Sequence, residues 1–208
     1  MPSDRKLPAF AVLFLLALQV GGCSQRNDPP QVAPSRFAAV VEERSESARR
    51  AFCETTFPKS GPEARAFVVP KERAAPPHEA KAAARGGWRW VNLWATWCRP
   101  CVEEIPLLER WRTALTKDDV AISFEMWSID DDEEALTSWL GKHPMPGVVR
   151  WLESPGDLGP VLTSFGLEAS SPIPVHVVVD PEGQVRCARV GSVHEEDYGA
   201  VKAMLTAP

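Results

Sequence analysis

The sequence WRWVNLWATWCRPC, at residues 88–101, decides the fold of this 208-residue chain. Its first part, residues 88–95, is almost continuously apolar, as is typical of a strand that is buried on both faces of a sheet. The run leads directly into a Cys-x-x-Cys motif formed by Cys98 and Cys101. Apolar residues then recur at helical spacing through residues 100–116. The segment therefore predicts a buried strand that delivers two cysteines to the first turn of a helix.

Outward from this segment, strand and helix patterns alternate and then end in a hairpin. This order predicts an α/β fold with a central mixed β-sheet flanked by helices. The remaining predicted elements are strands at 120–129, 148–152, 175–179 and 184–190, and helices at 133–140, 156–165 and 195–205. Before the motif, the patterns predict a helix at 36–54, a short strand at 66–69, and a loop at 71–87 with one helical turn near 79–84.

Composition narrows the class of protein. Hydrophobic residues make up 44% and charged residues 25% of the chain, which is typical of a globular protein. The formal net charge is −5, and the sequence has no basic stripe. A nucleic-acid partner is therefore not expected, because such proteins present a basic patch.

The N-terminus has the features of an export signal. Arg5 and Lys6 precede a 14-residue apolar run at 7–20, which is too short for a membrane span but suits a signal peptide. The run ends in VGGC and resembles the lipobox of bacterial lipoproteins. This resemblance implies a signal peptide at 1–22, lipidation of Cys23, and a polar, proline-rich flexible tether at 23–35. Ordinary cleavage and an uncleaved anchor are the alternatives.

The Cys-x-x-Cys motif suits redox chemistry better than zinc. A zinc site needs four ligands. No second Cys-x-x-Cys is present, and the histidines are scattered singly at His78, His143, His176 and His194. No metal site is therefore predicted.

The two cysteines are predicted to act in succession. A helix N-terminus stabilises the Cys98 thiolate, and Arg99 adds positive charge beside it. Pro100 suits the first helical turn, where a missing N–H group costs nothing. Cys98 would attack a client disulfide, and Cys101 would then resolve the mixed disulfide. This chemistry needs no cofactor beyond the cysteine pair.

The same residues resemble a known family. NLWATWCRPC at 92–101, followed by EEIP at 103–106, resembles the TlpA/ResA-like branch of the thioredoxin superfamily. Matching elements follow in order at 120–132, 165–167 and 173–183. The resemblance implies a thioredoxin-like domain at 62–208, which an N-terminal helical extension at 36–61 precedes. Members of this branch are extracytoplasmic thiol-disulfide oxidoreductases, and many are anchored to membranes.

The resemblance also implies roles for residues around the pair. Pro174 matches the cis-proline that packs against the active-site disulfide, with Pro172 as a competing candidate. Ile173 would offer its backbone to an extended client segment. Glu104 would tune the thiol pKa values and relay protons; the alternative is a solvated acid on the helix face. Trp97 would shape the docking surface.

Other polar residues receive a structural interpretation. Once Cys23 is set aside, Cys53 and Cys187 are hypothesised to form a disulfide that pins the N-terminal helix to the sheet edge; two buried free thiols are the alternative. His176, two residues past Pro174, is interpreted as a satisfied sheet histidine, and a position near the substrate groove is the alternative. The acidic run at 130–134 is interpreted as a solvated helix start in which any of the three aspartates can cap the helix.

The combined prediction is a membrane-tethered, monomeric protein-disulfide reductase on the periplasmic side of the inner or outer membrane. Its clients would be exported proteins with thiols or disulfides, as in cytochrome c maturation, and its electrons would come from a membrane donor of the DsbD or CcdA kind. A peroxiredoxin-like peroxidase is an alternative, although Thr96 is misplaced for that motif. A copper metallochaperone is another.

Overall fold

The computed structural model describes residues 36–77 and 86–206. The signal peptide predicted at 1–22, the lipidation predicted at Cys23 and the tether predicted at 23–35 lie outside the described residues, as does the helical turn predicted near 79–84. Within the described ranges, no helix combines the length and the apolar character that crossing a bilayer requires.

The described residues form strands and helices in the alternating order that the sequence predicts. The strands are β1 (Thr55–Thr56), β2 (Arg65–Ala66), β3 (Glu72–Arg73), β4 (Trp88–Trp94), β5 (Ile122–Ser128), β6 (Val148–Leu152), β7 (Val175–Val179) and β8 (Gln184–Val190). The helices are α1 (Arg36–Phe52), α2 (Arg99–Lys117), α3 (Glu133–Leu140), α4 (Leu158–Ser164) and α5 (Tyr198–Leu205). Single 3-10 turns lead into α4 and α5.

The strands form one mixed sheet in the order β1-β8-β7-β4-β5-β6-β3, and β2 also pairs with β8. At its centre, β4 runs parallel to β5 and antiparallel to β7. Because β4 is covered on both faces, its residues from Trp90 onward are buried, as its apolar sequence predicts. The prediction of a mixed sheet flanked by helices is confirmed, and the carboxyl end of β4 delivers the cysteine motif.

The core is organised around Trp90, which is fully buried in β4. Its ring stacks on Phe124 of β5 and meets Trp111 of α2 edge-on, with ring centroids 5.7 Å and 5.9 Å away. Phe52, at the end of α1, lies 5.9 Å away on a tilted plane. One indole thus joins α1, α2 and two strands, which holds the N-terminal helix to the same core as the cysteine motif.

The predicted elements between α1 and β4 are partly wrong. The strand expected at 66–69 occupies only Arg65–Ala66, and Val68 and Val69 project into solvent before Pro70. The loop expected at 71–87 contains β3, and β1 was not predicted at all. Strands of two residues show no hydrophobic periodicity, so the sequence pattern cannot reveal them.

The N-terminal extension is fastened to β8. Cys53 and Cys187 are joined in a disulfide that spans 134 residues of sequence, which is the pairing hypothesised from the sequence. Next to it, Thr56 of β1 lies opposite Cys187 in the ladder. Arg189 donates a 3.0 Å hydrogen bond to the Phe52 carbonyl oxygen, and its guanidinium lies over the Phe52 ring. The extension is therefore part of the sheet edge.

Candidate active site

The cysteine pair stands at the N-terminus of α2 and is joined in a disulfide. Cys98 is the N-cap residue, and its sulfur accepts the Cys101 N–H group at 3.3 Å. Cys98 retains 5% exposure, whereas Cys101 is fully buried. Pro100 occupies the first turn, where its missing N–H group leaves no bond unmade. The arrangement gives an outer sulfur for attack and an inner sulfur for resolution.

The loop before β7 supplies the wall opposite Cys98. The Ile173–Pro174 peptide bond is cis, and Pro174 is buried. The Ile173 carbonyl oxygen lies 3.8 Å from Cys98 Sγ. Pro172 is exposed, and its peptide bond is not among the cis bonds of the described residues. The backbone of Ile173 therefore lies beside the outer sulfur of the cysteine pair.

The turn between β4 and Cys98 is held by Asp130. This carboxylate accepts the Thr96 N–H group at 3.1 Å, the Thr96 hydroxyl at 2.6 Å and the Ser128 hydroxyl at 2.8 Å. Asp130 is only 2% exposed, so its interpretation as a solvated acid is wrong. Asp132 is the residue that caps α3. The held turn leaves Trp97 projecting into solvent with 67% exposure.

Arg99 is exposed beside the pair. Its Nε donates a 2.7 Å hydrogen bond to Glu103 one turn later. This hydrogen bond and the charge of Glu103 raise the pKa of Arg99 above its ordinary value. Arg99 is therefore a permanent cation next to Cys98, with a carboxylate that offsets part of its field.

Glu104 points inward from α2. It is 4% exposed, so the alternative of a solvated helix-face acid is wrong. Its Oε1 accepts the Asn92 amide at 3.1 Å, and its Oε2 accepts the Val193 N–H group at 3.0 Å. Glu104 follows Cys101 at the i,i+3 spacing that places two side chains on one face of a helix. A buried carboxylate thus accompanies the inner cysteine.

Comparison with solved structures identifies the fold. A thiol-disulfide isomerase from Corynebacterium glutamicum matches with a TM-score of 0.52 and 16% identity, over 68% of this chain and 96% of its own. The fold is thioredoxin-like. The fold class predicted from the sequence is confirmed.

Curated relatives of this thioredoxin-like chain are thiol:disulfide interchange proteins named DsbE. The one from Pseudomonas fluorescens biotype C is 30% identical over 115 residues, which are 55% of this chain and 58% of the relative. The one from Pseudomonas aeruginosa is 28% identical over 131 residues, 63% of this chain and 66% of the relative. The chain thus spans less than two thirds of each relative's length. No family model matches it.

Sequence reasoning placed His176 in the sheet but missed its contact with Glu104. His176 is fully buried in β7 of the thioredoxin-like sheet, directly opposite Asn92 of β4. Its Nε2 lies 3.4 Å from Glu104 Oε2. The sequence did contain a signal that His176 lies near the cysteine pair. His176 stands two residues after Pro174, and alternate residues of a strand share one face. Only the pairing of β7 with β4 shows that this face meets Glu104.

An open cleft of about 390 Å³ lies beside the first turns of α2, and its lining residues include Pro100, Glu104 and Arg110 together with residues 192–196. It connects the buried carboxylate with the surface. In the part of the chain that the structure describes, no three His, Cys, Asp or Glu side chains are grouped so that they could hold a metal ion.

Proposed function

We propose that this chain is a thiol-disulfide oxidoreductase that reduces disulfides in exported proteins. The observation that carries the proposal is the disulfide at the N-terminus of α2, whose outer sulfur faces the Ile173 carbonyl before cis-Pro174. A helix N-terminus favours the thiolate form of Cys98, which is the attacking species in thiol-disulfide exchange. The DsbE-type relatives support the same chemistry.

The reaction proceeds in two exchanges. The Cys98 thiolate attacks one sulfur of the client disulfide, a Cys98–client bond forms, and the other client sulfur leaves as a thiolate that takes a proton. Cys101 then loses its proton and attacks Cys98 Sγ, which releases the second client sulfur. The client gains two electrons and two protons, and the protein is left with the Cys98–Cys101 disulfide. Glu104, behind Cys101, is the proposed acceptor of the Cys101 proton.

Residues around the cysteine pair would bind the client and modulate the thiolate. Ile173 would pair with the backbone of an extended client segment, and Trp97 would give that segment an exposed aromatic surface. Arg99 and Pro100 would modulate the thiolate at the helix start. Pro174 would set the approach of the Ile173 carbonyl to the reactive sulfur.

The cellular setting is proposed from the sequence and the relatives. Cys23 would carry the lipid that tethers the protein to the inner or outer membrane, with the domain in the periplasm. A donor of the DsbD or CcdA kind would reduce the disulfide again. Clients would be exported proteins with cysteine pairs, apocytochrome c among them. We propose a monomer that needs no cofactor and binds no nucleic acid.

Whether the protein reduces or forms client disulfides is tested by the reduction potential of the Cys98–Cys101 pair. The full chain is equilibrated in dithiothreitol buffers, and the thiol fraction is read by alkylation. We expect a potential at or below about −270 mV, which is the thioredoxin value and marks a reductant. A potential near −120 mV, as in DsbA, would reverse the proposed direction.

Client exchange is tested by trapping. Cys101→Ser leaves Cys98 to attack but removes resolution, so mixed disulfides with exported proteins should accumulate and disappear on reduction. Cys98→Ser is the matched control and should trap none. Peroxide consumption that depends on Cys98 would instead favour the peroxidase alternative, and tight Cu(I) binding by the reduced pair would favour the metallochaperone.

A further inference from the structure

The protonated nitrogen of the buried His176 follows from its neighbours. Its Nδ1 lies 3.2 Å from Trp90 Nε1 and 3.2 Å from Asn92 Nδ2. An indole nitrogen only donates hydrogen bonds, so Nδ1 must accept. Asn92 Nδ2 also donates to Glu104, which fixes the orientation of that amide. A proton on Nδ1 would face two N–H groups, so the ring is held as the tautomer that carries its proton on Nε2.

This Nε2–H group faces Glu104. Nε2 lies 3.4 Å from Glu104 Oε2, and the described residues offer it no hydrogen-bond partner of ordinary geometry. His176 is fully buried, so bulk water does not compete for the N–H group. A buried donor without another partner is costly, and its electrostatic attraction to the adjacent carboxylate offsets that cost.

We propose that His176 is a positioning residue for Glu104. Its Nε2–H group, with the Asn92 amide and the Val193 N–H group, holds the carboxylate in one orientation behind Cys101. Held there, Glu104 accepts the proton of the Cys101 thiol as Cys101 attacks Cys98 Sγ. The Cys98–client bond breaks, its electron pair leaves with the client sulfur, and Glu104 passes its proton to water in the cleft. This role rests on the proposed exchange reaction.

Strand β7 connects this role with client binding. Its loop presents the Ile173 carbonyl to Cys98, and its second residue presents the His176 ring to Glu104. The pairing of Asn92 with His176 fixes the register between β7 and β4. Strand β7 and the loop before it therefore contact both Cys98, through Ile173, and Glu104, through His176.

Other ionisable groups lie around Glu104 and line the cleft beside it. Cys101 lies on its own helix, and the cleft beside it is lined by Glu103, Arg110, His194, Glu195 and Glu196. Among these, Glu103 is bound to Arg99, and Arg110 is bound to Glu195. His143 is exposed beyond the end of α3 and does not line this cleft, so it serves as the control histidine.

The test separates the two exchanges with one probe, 5,5′-dithiobis(2-nitrobenzoate). In the full chain, the reduced Cys98–Cys101 pair releases one thionitrobenzoate when Cys98 attacks and a second when Cys101 resolves, and the Cys98→Ala/Cys101→Ala variant gives the background from the other cysteines. We expect His176→Leu to slow the second release about tenfold at pH 7 and to change its pH profile, while the first release stays within about twofold. His176→Gln keeps an N–H donor and should recover most of the rate. His143→Gln should match the wild type.

A double mutant completes the test. Glu104→Gln should slow the second release at least as much as His176→Leu, and adding His176→Leu to it should slow it no further, because the two residues act as one unit. Equal slowing of both releases, or an unchanged second release, would overturn the role of His176. Where His176→Leu does not fold, His176→Asn gives the same test, because its amide is too short to reach Glu104. A wild-type chain that releases no second thionitrobenzoate would instead refute the exchange reaction itself.

Discussion

The two disulfides in the described part of the chain are the same kind of bond in very different surroundings. Cys98 and Cys101 are 3 residues apart at a helix N-terminus, next to a backbone carbonyl and an exposed tryptophan. Cys53 and Cys187 are 134 residues apart, with Cys187 fully buried in a paired strand. The comparison teaches that the groups around a disulfide decide whether it reacts or fastens the fold.

Loop length points the same way. The bond between Cys53 and Cys187 closes a long loop and restricts the unfolded chain strongly, whereas the active-site pair closes almost none. The active-site pair also has the unpaired N–H groups of α2 to stabilise a thiolate once it is reduced. The Cys53–Cys187 bond is therefore expected to stabilise the fold. The Cys98–Cys101 bond is expected to be reduced and oxidised in turn.

The largest expected difference between the two pairs is in activity. Cys98→Ser should reduce the rate of insulin disulfide reduction to that of the buffer thiol alone, because among the described cysteines Cys101 is fully buried and Cys53 is bonded to Cys187. The double variant Cys53→Ala/Cys187→Ala should keep the wild-type rate at 25 °C. If this double variant folds but has no activity, the Cys53–Cys187 bond is not purely structural, and the proposed separation of roles between the two disulfides is wrong.

Stability should show the reverse pattern. Removing the bond with Cys53→Ala/Cys187→Ala should lower the free energy of unfolding by about 5 kcal/mol in the loop-entropy model. The matched variant, Cys98→Ala/Cys101→Ala, should lower it by much less. Urea unfolding of the oxidised proteins measures both, and equal losses would show that the long loop confers no special constraint.

Acid stability should depend on neither disulfide but on Glu125 in β5. Burial alone raises the pKa of Glu125, but the hydrogen bond and charge of Arg89, with help from Arg150 and Trp127, outweigh burial and hold it below its ordinary value. The stabilisation that the ionised Glu125 contributes to the fold is fully present above the ordinary carboxyl pKa of about 4.3. It is lost as the pH falls through the lowered pKa of Glu125.

The corresponding variant is Glu125→Gln. It should lower the free energy of unfolding by about 1–3 kcal/mol at pH 7. The difference from the wild type should shrink as the pH falls below about 4. Urea midpoints from pH 7 to pH 3 measure this, with the exposed Glu153→Gln as control. A difference that stays constant across this range would rule out the charged pair as its source.

The smallest expected effect concerns the docking surface beside the reactive pair. Trp97→Ala should raise the KM for a protein client about fivefold, which corresponds to about 1 kcal/mol, and leave kcat unchanged. Phe37→Ala removes an exposed aromatic from α1, on the extension that the other disulfide fastens, and should have no effect. Steady-state kinetics with a disulfide-containing client measures both; equal effects would show that exposure alone matters.

The sequence predicts the central elements well and the sheet margin poorly. The apolar run of β4 and the helical spacing of α2 are strong local signals, and the structure reproduces them within a few residues. The two-residue strands β1 and β3 depend on partners that are distant in sequence, so no local pattern announces them.

The candidate site shows the same limit. The cysteine motif can be identified because its neighbours in the chain define it, and Pro174 can be identified because it matches the pattern of the family that the chain resembles. The burial of Asp130 and the contact of His176 with Glu104 depend on which strands lie side by side. Polar residues of this kind look solvated in a sequence, since only the fold supplies the donors that satisfy them.

The bond between Cys53 and Cys187 also makes a covalent ring of most of the domain. A protease cut anywhere inside that ring leaves both pieces in one molecule, joined through the sulfurs. A nicked chain would migrate as two fragments only after reduction. A single cut would therefore leave the reactive centre connected to α1 and to whatever precedes it.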